Sequence, residues 1–239
     1  MVEQDNHYEV QGGCLPLEFM VLGPIETNVY FVNCGDGVMV VDPACEAKRI
    51  QDALGGRKVL AIVLTHRHWD HVGAARALRE ATGAPVIASA IDGAYITGER
   101  EMPAEKHAIE PCEVDRIAED GQTLTIGAIP WQVIATPGHT PGGICLYFNP
   151  ATMDAEEGAP LIEGGAPMLI SGDTLFFGSI GRTDFEGGSM DDMRDSLRRL
   201  AQLPDETLVL PGHNAFTSIK AERRRVFARF LPRDFGDIF

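Results

Sequence analysis

Apolar residues along this chain come in short runs, each closed by glycine, proline or polar residues, and that spacing predicts a protein rich in strands. Residues 17–22, 28–33 and 38–41 read as strands, with Cys34-Gly35-Asp36-Gly37 as a hairpin turn. Residues 59–64 form a continuous apolar run of the kind buried on both faces of a sheet. Residues 72–80 are rich in helix formers and close at Gly83. Helix and strand alternate through residue 88, residues 90–97 read as helix, and 99–120 are charged without clear periodicity. Residues 122–126, 131–136, 143–148, 168–172 and 207–210 read as later strands, and 190–203 and 218–231 have helical periodicity with one charged face. Residues 1–13 are polar, and their tip is expected to be loosely held. Residues 149–167 carry Asp154, Glu156, Glu157 and Glu163 among glycines and prolines, which fits a solvated acidic loop or a lid.

Length and composition narrow the picture. At 239 residues the chain can bury a full core, and it has no linker-like segment or charge block. One domain over residues 1–239 is expected, built from two sheet-forming halves that meet near residue 128. A formal charge of −15 argues against nucleic acid and anionic membrane surfaces, which need basic patches. Glu3 and Asp5 stand where a signal peptide needs positive charge, and no segment approaches the ~18 apolar residues of a membrane span. The five cysteines are scattered and odd in number, as in a reducing compartment. A cytoplasmic protein is expected.

The chemistry lies at the strand ends. Val-Leu-Ala-Ile-Val-Leu runs into Thr65-His66-Arg67-His68-Trp69-Asp70-His71, which crowds imidazoles and a carboxylate into one turn. Those are the donors that borderline divalent metals prefer. Three later runs each deliver one more such residue into a glycine-rich turn: His139 in Pro137-Gly138-His139, Asp173 after Ser171-Gly172, and His213 in Pro211-Gly212-His213. Sites in open α/β sheets lie beyond the carboxyl ends of strands, so these residues are expected to converge. Five histidines and two aspartates are too many for one tetrahedral ion and fit two ions sharing a carboxylate. No G-x-S-x-G or S-x-x-K nucleophile motif accompanies them.

The motif His66-x-His68-x-Asp70-His71, followed by His139, Asp173 and His213, resembles the metallo-β-lactamase superfamily. The likeness extends from Asn28-Val29-Tyr30 and Val41-Asp42-Pro43 to the His213 turn. It implies an α/β fold, a four-layer αββα sandwich with a dinuclear site at one edge. His66, His68 and His139 would hold the first ion, Asp70, His71 and His213 the second, and Asp173 would bridge them. Zinc is the first expectation, with iron or manganese as alternatives, and a metal-bridging hydroxide would be the nucleophile. Asp70 would ligate and help move a proton, and Asp42 would fix an imidazole tautomer.

Residues 172–176 and 181–187 look most like the glyoxalase II branch, which hydrolyses thioesters. In that branch Arg182 and Phe185 match positions that touch the substrate. Arg67 and Trp69 would line the pocket mouth or pack into the turn, and His7 and His107 read as surface residues. Only 26 residues follow His213, and Asn214-Ala215-Phe216 lacks the tyrosine expected there. The chain therefore looks more like the short bacterial glyoxalase II-like hydrolases. The expected partner is a small-molecule thioester. Rival readings are a mononuclear iron persulfide dioxygenase, which would use His66, His139 and Asp173, and a lactone or β-lactam hydrolase.

Overall fold

The computed structural model describes residues 7–103 and 107–231. The tip of the amino-terminal segment expected to be loose lies outside the described residues, while its continuation is a strand.

Strands β1 (His7–Glu9), β2 (Leu17–Leu22), β3 (Thr27–Asn33) and β4 (Val38–Val41) form an antiparallel series. Helix α1 (Ala47–Leu54) then crosses to β5 (Val59–Val63), which lies parallel to β4. After it come α2 (Trp69–Val72), α3 (Ala75–Thr82), β6 (Val86–Ala88), α4 (Ala90–Ile96) and the short β7 (Arg116–Ile117). These strands make a sheet of order β1-β2-β3-β4-β5-β6-β7. A parallel neighbour cannot be reached by a hairpin, so each parallel step carries its helix across one face.

The second sheet has the order β15-β14-β11-β10-β9-β8. It is built from β8 (Thr123–Ile126), β9 (Ile129–Ala135), β10 (Ile144–Phe148), β11 (Met168–Gly172), β14 (Leu208–Pro211) and β15 (Thr217–Ser218). Between β11 and β14 run a small ribbon, β12 (Leu175–Phe176) with β13 (Ser179–Ile180), and α5 (Met190–Leu200). The described residues close with α6 (Ile219–Glu222), a π-helical stretch (Arg223–Phe227) and α7 (Ala228–Phe230). The two halves meet between β7 and β8, slightly before residue 128, because β8 already pairs with β9.

Period-two alternation sorts the side chains into layers. Tyr30, Val32, Met39 and Val41 from the first sheet meet Trp131, Val133, Leu146 and Ile170 from the second in a core between the sheets. Their neighbours Val29, Phe31, Val38 and Val40 face outward onto Ile50, Leu54, Leu78 and Ile96 of the helices. On the other side Tyr147, Leu169 and Val209 pack on Met193, Leu197 and Phe227. The result is the four-layer αββα sandwich of the metallo-β-lactamase fold. Among the described residues, no helix is long and apolar enough to cross a membrane.

Two expectations need correction. The helix placed at residues 72–80 begins earlier, at Trp69, and is broken near Ala74 into α2 and α3. Asp70 and His71 therefore sit on a helical turn, which points their side chains back toward the strand ends. His7 is not a free surface residue either; it stands on β1 with its Nε2 2.6 Å from Glu18. Residues 149–167 dock by backbone bonds of Glu156 to Ala128 and of Ile162 to Cys14. None of them lines the cavity at the histidine cluster, which removes the ground for a lid.

Candidate metal centre

Parallel pairing brings strand ends to a common edge, and here two parallel pairs face each other. In the first sheet β4 and β5 end at Val41 and Val63, delivering Asp42 and the Thr65–His71 turn. In the second, β11 and β14 end at Gly172 and Pro211, delivering Asp173 and His213. The turn after β9 adds His139. All seven sequence-predicted ligand residues meet at this edge.

Their atoms fall into groups. Donor atoms of His66, His68 and His139 lie within 4.8 Å of one another, as do those of Asp70, His71 and His213. In the second group His71 Nε2, His213 Nε2 and Asp70 Oδ2 are mutually 3.2 Å apart. Asp173 stands between the groups, with Oδ1 3.3 Å from His71 Nε2 and Oδ2 3.4 Å from His139 Nε2 and 3.6 Å from His213 Nε2. Donors bound at ~2.0–2.1 Å around a tetrahedral zinc sit about 3.3 Å from one another. The spacings of Asp70, His71 and His213 and those of Asp173 to its neighbours, 3.2 to 3.6 Å, are close to that figure.

The ring orientations are fixed from behind. His66 Nδ1 meets Thr65 Oγ1 at 3.1 Å, His71 Nδ1 meets Asp42 Oδ2 at 2.9 Å, and His139 Nδ1 donates to the Arg182 carbonyl at 2.7 Å. His213 Nδ1 donates to the Ile25 carbonyl at 3.1 Å. With Nδ1–H committed outward, each Nε2 turns its lone pair into the centre, the tautomer a metal requires. His66 Nε2, His139 Nε2 and Asp173 Oδ1 are buried and have no hydrogen-bond partner. Buried polar atoms are normally satisfied, so acceptors left without a partner among the described residues at this edge fit cations there.

Electrostatics point the same way. Burial, reinforced by the neighbouring imidazoles, pushes His66 well below the usual histidine range and His68 down to about 3. Burial would also lower His71, but Asp70, Asp173 and Asp42 around it hold it well above that range. Burial works against both carboxylates, yet His71 and its fellow imidazoles pull Asp173 down to about 2 and Asp70 lower still. The carboxylates that raise His71 and His213 are thus ones that a dication would otherwise balance.

Asp42 earns its place by geometry. It holds a left-handed backbone, φ 50°, which turns the carboxylate under the end of β5. There it accepts from Thr65 N at 2.7 Å, from Thr65 Oγ1 at 2.6 Å, and from His71. Gly212 is equally constrained: a Cβ there would stand 2.3 Å from Asp173 Oδ1 and 2.6 Å from His71 Cε1.

A cavity of about 660 Å³ opens over the centre, walled by Ile25, Trp69, Phe176, Ile180, Arg182 and Phe185. Phe185 packs edge-on to His68 and His139 at 5.4 and 5.9 Å. Arg182 lies over the Phe185 ring, exposed, and its Nε and Nη2 donate to Asp184. Arg67 packs into the turn with its side chain buried, and it also borders the cavity. His107 is exposed and stacks on Trp69. Sequence reasoning missed Thr27, whose hydroxyl donates to Asp70 Oδ2 at 3.3 Å, and the Ile25 and Arg182 carbonyls. Only Thr65, adjoining His66 at a strand end, left a readable signal.

The profile of the Metallo-beta-lactamase superfamily matches residues 22–153 and 160–213. The chain is 33% identical over 212 residues to the probable metallo-hydrolase YqgX of Bacillus subtilis (strain 168), spanning 85% of this chain and 92% of the relative. It is 29% identical over 192 residues to the hydroxyacylglutathione hydrolase GloC of Haemophilus influenzae, with 77% and 84% covered. Among solved structures, TTHA1623 in a di-iron-bound form is similar with a TM-score of 0.67 at 32% identity, covering 87% of this chain and 97% of that one. The B3 metallo-β-lactamase BLEG-1 is similar with a TM-score of 0.69 at 30% identity, covering 88% and 98%.

Proposed function

The chain belongs to the metallo-beta-lactamase superfamily, and from that premise we propose that it is a dinuclear metal-dependent thioester hydrolase of the glyoxalase II type. The observation that carries the two-ion reading is Asp173, whose carboxylate reaches both halves of the cluster, His71 and His213 on one side and His139 on the other. His66, His68 and His139 would hold one ion and Asp70, His71 and His213 the other. Zinc is the proposed ion, with iron and manganese as alternatives for the same donors. Bound there, two dications would supply a strong nucleophile from water at neutral pH and polarise a substrate carbonyl.

The chain's own residues would do the rest. Asp70, held by Thr27 Oγ1 and close to His71 and His213, is placed to ligate and to pass a proton at Oδ2. Phe185 and Ile180 present an apolar wall for the acyl-thiol, and Arg182 a cation for a carboxylate at its far end. The likeness to hydroxyacylglutathione hydrolase GloC supports a thioester, with S-lactoyl-thiol compounds as first substrates. No contact is fixed for a particular thiol, so weak discrimination between glutathione and smaller thiols is proposed.

The test is metal analysis of the purified protein followed by a thioester panel read by free thiol, with dissolved oxygen and a chromogenic β-lactam measured in parallel. Two ions per chain and thiol release without oxygen uptake support the proposal. A single iron with oxygen uptake on a persulfide would replace it by a dioxygenase. Turnover of the β-lactam alone would replace it by the activity named for BLEG-1.

A further inference from the structure

Between the two ligands His66 and His68 stands Arg67, and its side chain turns away from the centre. It is almost wholly buried, and so is its partner Asp92 in the first turn of α4. Arg67 Nη1 donates to Asp92 Oδ1 at 3.1 Å, and the Arg67 backbone N–H donates to Asp92 Oδ2 at 3.2 Å. Asp92 Oδ2 also accepts from Thr140 Oγ1 at 2.6 Å, and Thr140 follows His139. Arg67 Nη2 donates to the Glu186 carbonyl at 2.9 Å, in the loop whose Arg182 carbonyl orients His139. The guanidinium lies 4.3 Å from the Tyr95 ring centroid. Helix α4 comes close enough to the His139 turn that a Cβ on Gly142 would stand 2.5 Å from Asp92 N and 2.7 Å from its Cγ.

One buried ion pair therefore fastens three loops, those carrying His66 and His68, His139, and residues 181–188. None of its contacts reaches Asp70, His71 or His213. Those three are held by other groups: Thr27 for Asp70, Asp42 for His71 and the Ile25 carbonyl for His213. Asp42 is shared, since it accepts from His71 and, through Thr65 Oγ1, stands behind His66, whereas the Arg67–Asp92 pair serves the His66–His68–His139 half.

We infer that Arg67 and Asp92 are positioning residues for the His66–His68–His139 half of the centre, setting the affinity of the ion in that half more than that of the other. The inference rests on the two-ion reading. Arg67 supplies a planar fork that binds a carboxylate and a carbonyl at once, which a lysine cannot reproduce. Asp92→Asn keeps the shape and removes the charge that holds Arg67.

The experiment titrates metal-free wild type, Asp92→Asn, Arg67→Lys, Thr140→Val and Asp42→Asn with zinc alone. Stoichiometry and affinity are read by calorimetry, and the histidines that bind by nitrogen-15 NMR. Wild type is expected to take two ions. Asp92→Asn and Arg67→Lys should weaken one of them roughly ten- to a hundredfold, the usual effect of losing a group behind a ligand. The histidines that fail to respond at one equivalent should be His66, His68 and His139, while His71 and His213 still shift. Asp42→Asn, which touches His71 directly and His66 through Thr65, should disturb both halves and so give a different trace. Thr140→Val, which removes a single hydroxyl contact, should weaken the same ion roughly two- to tenfold and serves if the charge variants do not fold. Equal weakening of both ions, or none, in a folded variant of Arg67, Asp92 or Thr140 would overturn the inference and leave an ordinary buried ion pair. A wild type that takes one ion would instead overturn the two-ion reading, and that outcome is visible on the unaltered chain.

Discussion

His139 donates its Nδ1 proton to the backbone carbonyl of Arg182 across 2.7 Å, so the segment that walls the cavity with its side chains also orients a candidate ligand with its main chain. The two jobs are separable, because a side-chain substitution leaves the carbonyl in place.

Arg182→Ala should therefore leave metal content unchanged and act on substrate binding. The guanidinium is largely exposed and already paired with Asp184, so the loss is limited to that of a solvent-screened contact. KM should rise up to about fivefold with kcat little altered, since a remote contact serves ground and transition state alike. Steady-state kinetics on matched thioesters with and without a terminal carboxylate would show it. Loss of a metal ion from this variant would mean that the side chain, not the carbonyl, holds the loop.

Asp173→Ala should disturb both ions together. Its oxygens lie 3.3 Å from His71 Nε2 and 3.4 Å from His139 Nε2, one in each half. Elemental analysis of the folded variant is the measurement. Retention of both ions at wild-type affinity would remove Asp173 from the bridging role.

Protein stripped of metal should be most stable near pH ~6.5, the ordinary histidine value. Burial holds His66 and His68 low, so their contribution is present above that value and is lost as pH falls and the unfolded chain takes up protons. Despite burial, the carboxylates hold His71 and His213 high; their contribution is present below ~6.5 and is lost as pH rises through the raised values. Asp70 and Asp173, held low by His71, add a second loss below about pH 4. A bound dication needs these groups deprotonated, so metal-loaded protein should keep its stability from pH ~6.5 to ~8. Thermal melts of both forms across pH decide the matter. A stripped protein whose stability climbs steadily through pH ~8 would contradict the assignment of protons to His71 and His213.

The thiols should be quiet. Cys14, Cys34, Cys112 and Cys145 are buried and unpaired, and Cys45 is half-buried. Burial raises Cys34 to about 12 and the others to about 11. At pH ~8 almost none is thiolate, the form that reacts. A disulfide reagent should label no more than Cys45 in the native protein and all five cysteines after unfolding in denaturant. Rapid native labelling of several would show that the core opens.

The fold and the ligands were legible for the same reason. Strand runs ending in His, Asp and Gly state both where the sheet edge is and what it carries, so His66, His139, Asp173 and His213 could be placed before any geometry. Asp42 was readable as a carboxylate at a strand end, though its purpose became plain only with Thr65 and His71 beside it. What could not be read acts through the main chain or across long separations. The Ile25 and Arg182 carbonyls have no side-chain signature, and Asp92 reaches Thr140 over 48 residues. Arg67 carried two opposite readings, pocket mouth or packed turn, because a charge between ligands does not reveal which way it points. The split of α2 from α3 was hidden because both halves are built from residues that suit one helix.

The order of the cluster along the chain has a consequence for how the protein is made. His71 emerges from the ribosome 142 residues before His213, with which it shares a 3.2 Å contact. A nascent chain therefore displays His66, His68, Asp70 and His71 while the second sheet has yet to be synthesised, and it lacks Asp173 and His213 to close the set. Stable zinc retention should appear only on chains extended past β14, so that capture of the ion marks a finished molecule. Zinc content of stalled nascent chains of increasing length would trace that moment, and full retention on chains ending before Asp173 would refute it.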